Sequence, residues 1–103
     1  MLYALMYTPG SNWLPGKAIT EQPLQEHVQY MLKLDMNGIL VMGGPLVDNA
    51  GGLIVINADT IEVAQAVMLN DPAITKGICR GEAHPWYPLI NKYTNENHIT
   101  QGV

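Results

Sequence analysis

Apolar residues along this chain fall into two rhythms. From Leu24 onward, at about 100° per residue, Val28, Met31, Leu32 and Leu34 collect on one broad face while Glu26, Gln29 and Lys33 take the opposite one. That pattern predicts an amphipathic helix from about Pro23 to Met36, with Pro23 suited to its first turn and Asn37-Gly38 to its stop. A second helix is expected after Asp59, which is placed to cap it, with Glu62 three residues on completing a capping-box pattern. Val63, Ala64, Val67 and Met68 supply its buried stripe, and Asn70-Asp71-Pro72 ends it, because proline pushes the preceding residue out of the helical region. Elsewhere the apolar residues run without a helical period. Leu2 to Thr8 (LYALMYT), Ile39 to Met42 (ILVM) and Leu53 to Ile56 (LIVI) read as strands. Pro9-Gly10, Gly43-Gly44-Pro45 and the turn Asp48 to Gly52 bound them. A last strand is expected around Gly77 to Ala83, before His84-Pro85-Trp86-Tyr87-Pro88 and a polar tail.

The order is β-α-β-β-α-β, which folds most simply as a ferredoxin-like α+β sandwich with one antiparallel sheet and both helices on one face. An antiparallel sheet with one wet face alternates apolar and polar residues, and these three strands do not. Two helices cover one face; something else must cover the other. Leaving that many apolar side chains in water is costly at about 25 cal/mol per Å², so a second copy of the chain is the simplest cover and a homodimer packed sheet to sheet is expected.

Composition narrows the partners. The 103 residues suffice for a single domain with one modest core, the stretch from about residue 87 reading as a C-terminal tail. Apolar residues make up 48% and charged residues 14%, which excludes disorder. Five basic residues and a net charge of −4 offer no cationic patch for nucleic acid. No apolar run approaches the roughly 20 residues of a membrane span, and MLYALMYTPG lacks the basic start and cleavage site of a signal peptide. The lone cysteine, Cys79, has no intrachain partner for a disulfide, so a cytoplasmic location is expected, with Cys79 packing in a strand.

His27 is the chemical oddity. It falls among the apolar face of the first helix, between Leu24 and Met31, where an imidazole must find a buried partner or line a cavity; an unpaired buried polar group costs roughly 1–3 kcal/mol. The commoner role of such a histidine is structural, held by a backbone carbonyl. Asp71 is its natural counterpart, since it follows the second helix's stripe at helical spacing and starts near the same buried layer. A carboxylate there would fix the imidazole's tautomer and favour its charged form, as in general-base sites. Asp before Pro at a helix end is equally a common cap and turn residue.

The segments Tyr3-Ala4-Leu5, Tyr7-Thr8-Pro9-Gly10, Trp13, Glu21-Gln22-Pro23-Leu24, His27, Gly43-Gly44-Pro45-Leu46, Gly51-Gly52, Asp71-Pro72 and His84-Pro85-Trp86 together resemble the YCII-related (YciI-like) family, over nearly the whole chain up to Trp86. The resemblance implies a dimeric α+β barrel, related structurally to muconolactone-isomerase-like proteins. It also implies a His–Asp pair proposed to be catalytic, which carries over as His27 and Asp71, and some members that act on chlorinated or hydroxylated aromatics. On this reading His27 is a general base or acid and Asp71 orients it. Gly44 and Pro45 shape the floor of a substrate pocket, glycine letting a ligand approach the backbone closely. Trp13, on a long loop of the kind that is often functional, serves as an aromatic wall or lid, or else as a dimer contact.

Glu82 and His84 stand two apart and so share a strand face. With His27 they would make a sparse ligand set; without HxxxH or CxxC spacing, no metal is expected. The glycine pairs lack the following helix and lysine of a phosphate loop, and Ser11, the only serine, stands on no nucleophile elbow. No cofactor is implied. Tyr3, Tyr7 and Tyr30 are potential hydrogen-bond donors, but tyrosine in a strand is ordinary. The chain reads as a small enzyme using His27 and Asp71 for proton transfer, isomerising a small cyclic or aromatic metabolite or eliminating a group from it. The alternative is a non-catalytic domain that binds a small ligand or a partner.

Overall fold

A computed structural model of the chain describes residues 1–93. Strand β1 (Leu2–Pro9) is followed by helix α1 (Gln25–Met36), strands β2 (Leu40–Pro45) and β3 (Gly52–Asn57), helices α2 (Ile61–Leu69) and α3 (Pro72–Thr75), and strand β4 (Cys79–Trp86). The four strands form one antiparallel sheet in the order β2-β3-β1-β4, the ferredoxin-like arrangement expected from the order of elements. The tail beyond residue 93 lies outside the described residues.

Local chemistry explains where the elements depart from expectation. Helix α1 opens at Gln25 rather than Pro23, because Gln22, the residue before proline, is extended at φ −74, ψ 148. Strand β2 does not stop at Met42. It runs on through Gly43, Gly44 and Pro45, paired with Ile54, Leu53 and Gly52, as an edge strand, where a proline costs no ladder bond. Thr60, not Asp59, caps α2: its Oγ1 accepts the Val63 N–H at 3.2 Å. With the cap one residue later, the third helical position is Val63, and the Asp59–Glu62 capping box does not form. Asp71-Pro72 ends α2 and at once begins α3, a single turn with Pro72 in its first positions. β4 starts and ends later than expected, since Gly77, at φ +70, still belongs to the turn that leaves α3.

The pleat sorts the strands into two faces. Toward the helices point Tyr3, Leu5 and Tyr7 of β1 and Ile54 and Ile56 of β3. With Ala64 and Met68 of α2, Ala73 of α3 and Ile78 they form the buried core. Val63, expected in the stripe of α2, is instead exposed. The opposite face carries Ala4 and Met6 of β1, Leu53 and Val55 of β3, and Met42 of β2, joined in register to one another. Met6 is 46% and Met42 63% exposed. The runs that failed to alternate are therefore apolar on both faces, and on the outer one Met6, Met42 and Leu53 stay exposed among the described residues while Val55 is buried.

Candidate active site

Helix α1 does not lie flat on the sheet. Leu34 is its only fully buried side chain, while Val28 is 53% and Leu32 57% exposed. The apolar face expected to pack on the strands instead forms one wall of a cavity of about 540 Å³, between α1 and the ends of the sheet strands. Leu24, His27, Val28, Met31 and Leu32 line it from the α1 side. Leu40, Gly43, Gly44 and Pro45 of β2, Gly52 and Ile54 of β3, Tyr7 of β1 and Cys79 of β4 line it from the sheet.

The third wall is the segment before α1, where Ile19, Thr20 and Gln22 reach the cavity. This segment has little regular structure beyond one turn at Ile19–Glu21, yet it is held by side-chain amides. Gln22 is buried; its Nε2 donates to the Leu14 and Lys17 carbonyls at 2.9 and 3.1 Å, and its Oε1 accepts the Leu14 N–H at 2.8 Å. Asn49, at φ 65 in the β2–β3 turn, accepts the Ile19 N–H at 3.0 Å. At the base of that turn Gly51 sits at φ +134, with no room for a Cβ against the Tyr7 carbonyl, so only glycine lets the turn close on β1.

Behind the cavity wall lies Asp71, with no exposed surface. As N-cap of α3 its Oδ1 accepts the Ala73 N–H at 2.9 Å. Its Oδ2 sits 2.7 Å from His27 Nδ1 and accepts the Tyr7 hydroxyl at 2.6 Å. Two fixed donors, the Tyr7 hydroxyl and the Ala73 N–H, already point at the carboxyl, and among the described residues no acceptor does, which is the surrounding a carboxylate requires. An acceptor-only partner puts the imidazole proton on Nδ1 and leaves the lone pair on Nε2. Among the described residues no protein group hydrogen-bonds Nε2, and the ring lines the cavity with the side chain 19% exposed. An exposed ion pair, Lys76 Nζ to Glu26 Oε1 at 2.7 Å, ties the end of α3 to the first turn of α1 beside His27.

The neighbouring groups are held neutral. Burial first, then the hydrogen bond to Asp71 and its charge, push the Tyr7 phenol far above the usual tyrosine range. Burial and Asp71 push the Cys79 thiol up to about 11, so at neutral pH it is no nucleophile. Burial and the same carboxylate raise the Tyr30 phenol, whose hydroxyl donates to the Val67 carbonyl at 2.7 Å. Among the described residues the cavity lining contains no lysine or arginine, and Asp35 and His27 are its only ionisable groups other than Tyr7 and Cys79.

The structure thus brings His27 and Asp71 into direct contact and sets Gly44 and Pro45 in the cavity wall. Trp13 lies elsewhere, half-buried against the core cluster and outside the lining. Glu82 and His84 pair with each other at 3.3 Å and, in register with Met6 and Ala4, stand on the opposite face of the sheet from His27. Among the described residues no group of three or more His, Cys, Asp or Glu side chains is placed to hold a metal ion. Sequence reasoning gave Tyr7 no special place, because its position in β1 differs in no local way from that of Tyr3. The Ile19–Gln22 wall and the α3 cap left no periodic signal.

The family model for the YCII-related domain matches residues 1–86, which include every residue of this constellation. The chain belongs to the YCII-related family. Among solved structures, this YCII-related chain is similar to 5-chloro-2-hydroxyhydroquinone dehydrochlorinase from Burkholderia phenoliruptrix AC1100, in complex with 2,5-dihydroxybenzoquinone. The TM-score is 0.63 at 18% sequence identity, over 84% of this chain and 94% of that one. At that identity the likeness establishes a shared fold. No curated protein matches the sequence. Among the described residues no helix of this YCII-related domain is long and apolar enough to cross a membrane.

Proposed function

We propose that this chain is an enzyme that moves a proton on a small, uncharged cyclic or aromatic metabolite, with His27 Nε2 as the base. The observation that carries the proposal is the asymmetry of the imidazole: Nδ1 is tied to a fully buried carboxylate, and among the described residues no protein group hydrogen-bonds Nε2, in a ring that lines an apolar cavity. That is the arrangement of a general base whose tautomer is fixed by its orienting partner. Nε2 takes a proton from a ring carbon or hydroxyl. The electron pair left behind either expels a leaving group, completing an elimination, or is reprotonated by the imidazolium at another carbon, completing an isomerisation. Asp71 stabilises the imidazolium between the two steps. A lining without lysine or arginine offers nothing to neutralise a carboxylate or phosphate, which supports an uncharged substrate. The 2,5-dihydroxybenzoquinone bound by the dehydrochlorinase of the same fold is a small ring compound, which supports the ring-shaped class of substrate. The partly exposed apolar sheet face supports assembly as a homodimer, with two copies covering each other's Met6, Leu53 and Met42.

The test is a thermal-shift screen with hydroxylated and chlorinated hydroquinones, quinones and lactones, run on the unmodified chain and on His27→Ala. Hits are then incubated in deuterated buffer and examined by NMR. The proposal expects ring compounds that stabilise the protein and take up deuterium or release chloride with the unmodified chain, with turnover lost in His27→Ala. Stabilising ligands that neither exchange nor react would instead establish a binding domain.

A further inference from the structure

Asp71 gives the same oxygen to two donors. Oδ2 accepts the Tyr7 hydroxyl at 2.6 Å and faces His27 Nδ1 at 2.7 Å, while Oδ1 is taken by the Ala73 N–H. Asp71 has no exposed surface, so solvent does not even out the demand. A carboxylate oxygen shared in this way offers each donor less negative charge than it would offer one alone. The phenol therefore draws off part of the stabilisation that the carboxylate would otherwise give a protonated imidazole. A hydroxyl needed only for packing would be satisfied by any acceptor; this one is placed on the atom through which His27 is held. The two rings also lie side by side, 5.6 Å between centroids and tilted by 47°, so Tyr7 limits how the imidazole can swing.

We propose that Tyr7 is a positioning residue that sets the base strength of His27 through Asp71, keeping Nε2 ready to release the proton it takes. The proposal rests on the reading of His27 Nε2 as the proton-transfer atom. Among the described residues the other titratable and charged groups around the pair are Cys79 on β4, Tyr30, Asp35 and Glu26 on α1, and Lys76 after α3. Replacing the Tyr7 hydroxyl alters none of these directly. The phenol keeps its proton across the range in which a histidine titrates, so it acts throughout as a donor.

The experiment is an NMR titration of the His27 ring signals in the full chain, assigned by their loss in His27→Gln. It compares the unmodified protein, Tyr7→Phe, and protein carrying 3-fluorotyrosine at position 7, whose more acidic phenol is a stronger donor. Without the competing donor the imidazolium gains more from Asp71, so Tyr7→Phe raises the titration midpoint by about half a pH unit or more. Fluorotyrosine moves it the other way. Opposite displacements of this kind are not produced by a hydroxyl that merely fills space. Midpoints unchanged in both altered proteins overturn the proposal, and the fluorotyrosine arm decides alone if Tyr7→Phe does not fold. Because no ligand enters the measurement, displaced midpoints without any turnover would count against the enzymatic reading and leave the Tyr7–Asp71–His27 coupling standing.

Discussion

Replacing Asp71 separates what the carboxylate does for the fold from what it does for the imidazole. Asp71→Ala removes three acceptor contacts at once. Losing the N-cap of α3 costs about 1 kcal/mol, and leaving the buried Tyr7 hydroxyl without an acceptor costs about 1–3 kcal/mol more. His27, partly exposed, can turn to water and adds little. The sum, roughly 2–4 kcal/mol, is a large share of the 5–15 kcal/mol typical of a domain and lowers Tm by at least about 10 °C for a chain of this size. Asp71→Asn behaves differently. The amide oxygen keeps the Ala73 N–H, and the amide nitrogen, in the place of Oδ2, donates to the Tyr7 oxygen and to His27 Nδ1. The stability cost falls to about 1–2 kcal/mol, for the stranded phenol hydrogen. Nδ1, now an acceptor, must give up its proton, so the imidazole carries hydrogen on Nε2 and the base is lost. Denaturant melts give the two stabilities, and ¹⁵N chemical shifts of the ring nitrogens give the tautomer. An Asn variant as unstable as the Ala one, or one that keeps hydrogen on Nδ1, would refute this division of roles.

Two further outcomes are expected. Stability should fall as pH rises from 9 toward 11: the folded state holds the Cys79 proton until about 11 whereas the unfolded chain releases it near 9.0, so the native state binds more protons in that window, costing up to about 1.4 kcal/mol per pH unit. Tyr7 steepens the fall above its ordinary 10.0, and urea midpoints from pH 8 to 10.5 should decline, with a shallower decline in Cys79→Ala; a flat profile would contradict the burial of both groups. On the outer sheet face, Met6→Glu should weaken the proposed self-association by about a hundredfold or more, since each copy would carry a charge into a dry interface; sedimentation at micromolar concentration checks this, and a monomeric unmodified chain would refute the proposed dimer.

The parts legible in the sequence are those written as runs and periods. LYALMYT, ILVM and LIVI each mark a strand, and their failure to alternate signals a sheet apolar on both faces, as Met6 and Met42 show. His27 among the apolar positions of α1 and Asp71 after the stripe of α2 are enough to suggest that they meet across 44 residues. What stayed hidden has short-range causes. One turn of α3 is too brief for a period. Asp59 and Thr60 are adjacent and both able to cap, and only backbone geometry chooses between them. The exposed Val28 and Leu32 show the limit of an apolar stripe, which records the preference for a dry neighbour without saying whether that neighbour is a sheet or a void. Tyr7 is the sharpest case, since its partnership with Asp71 spans 64 residues and leaves no local trace.

The amide clasps of Gln22 and Asn49 have a consequence for how such a protein can change. Gln22 braces the outer wall internally through backbone groups of Leu14 and Lys17, and Asn49 ties it to the β2–β3 turn through the Ile19 N–H, so the side chains of Ile19 and Thr20 are free to vary without loosening it. Val28 and Leu32, facing open space, are as little constrained by packing. The Tyr7–Asp71–His27 hydrogen bonds draw on none of these four: they are anchored in β1, the first turn of α1 and the start of α3. On the proposed function, recognition and chemistry thus occupy separate sets of positions, and a lineage could exchange the molecules it admits while inheriting its acid–base apparatus intact.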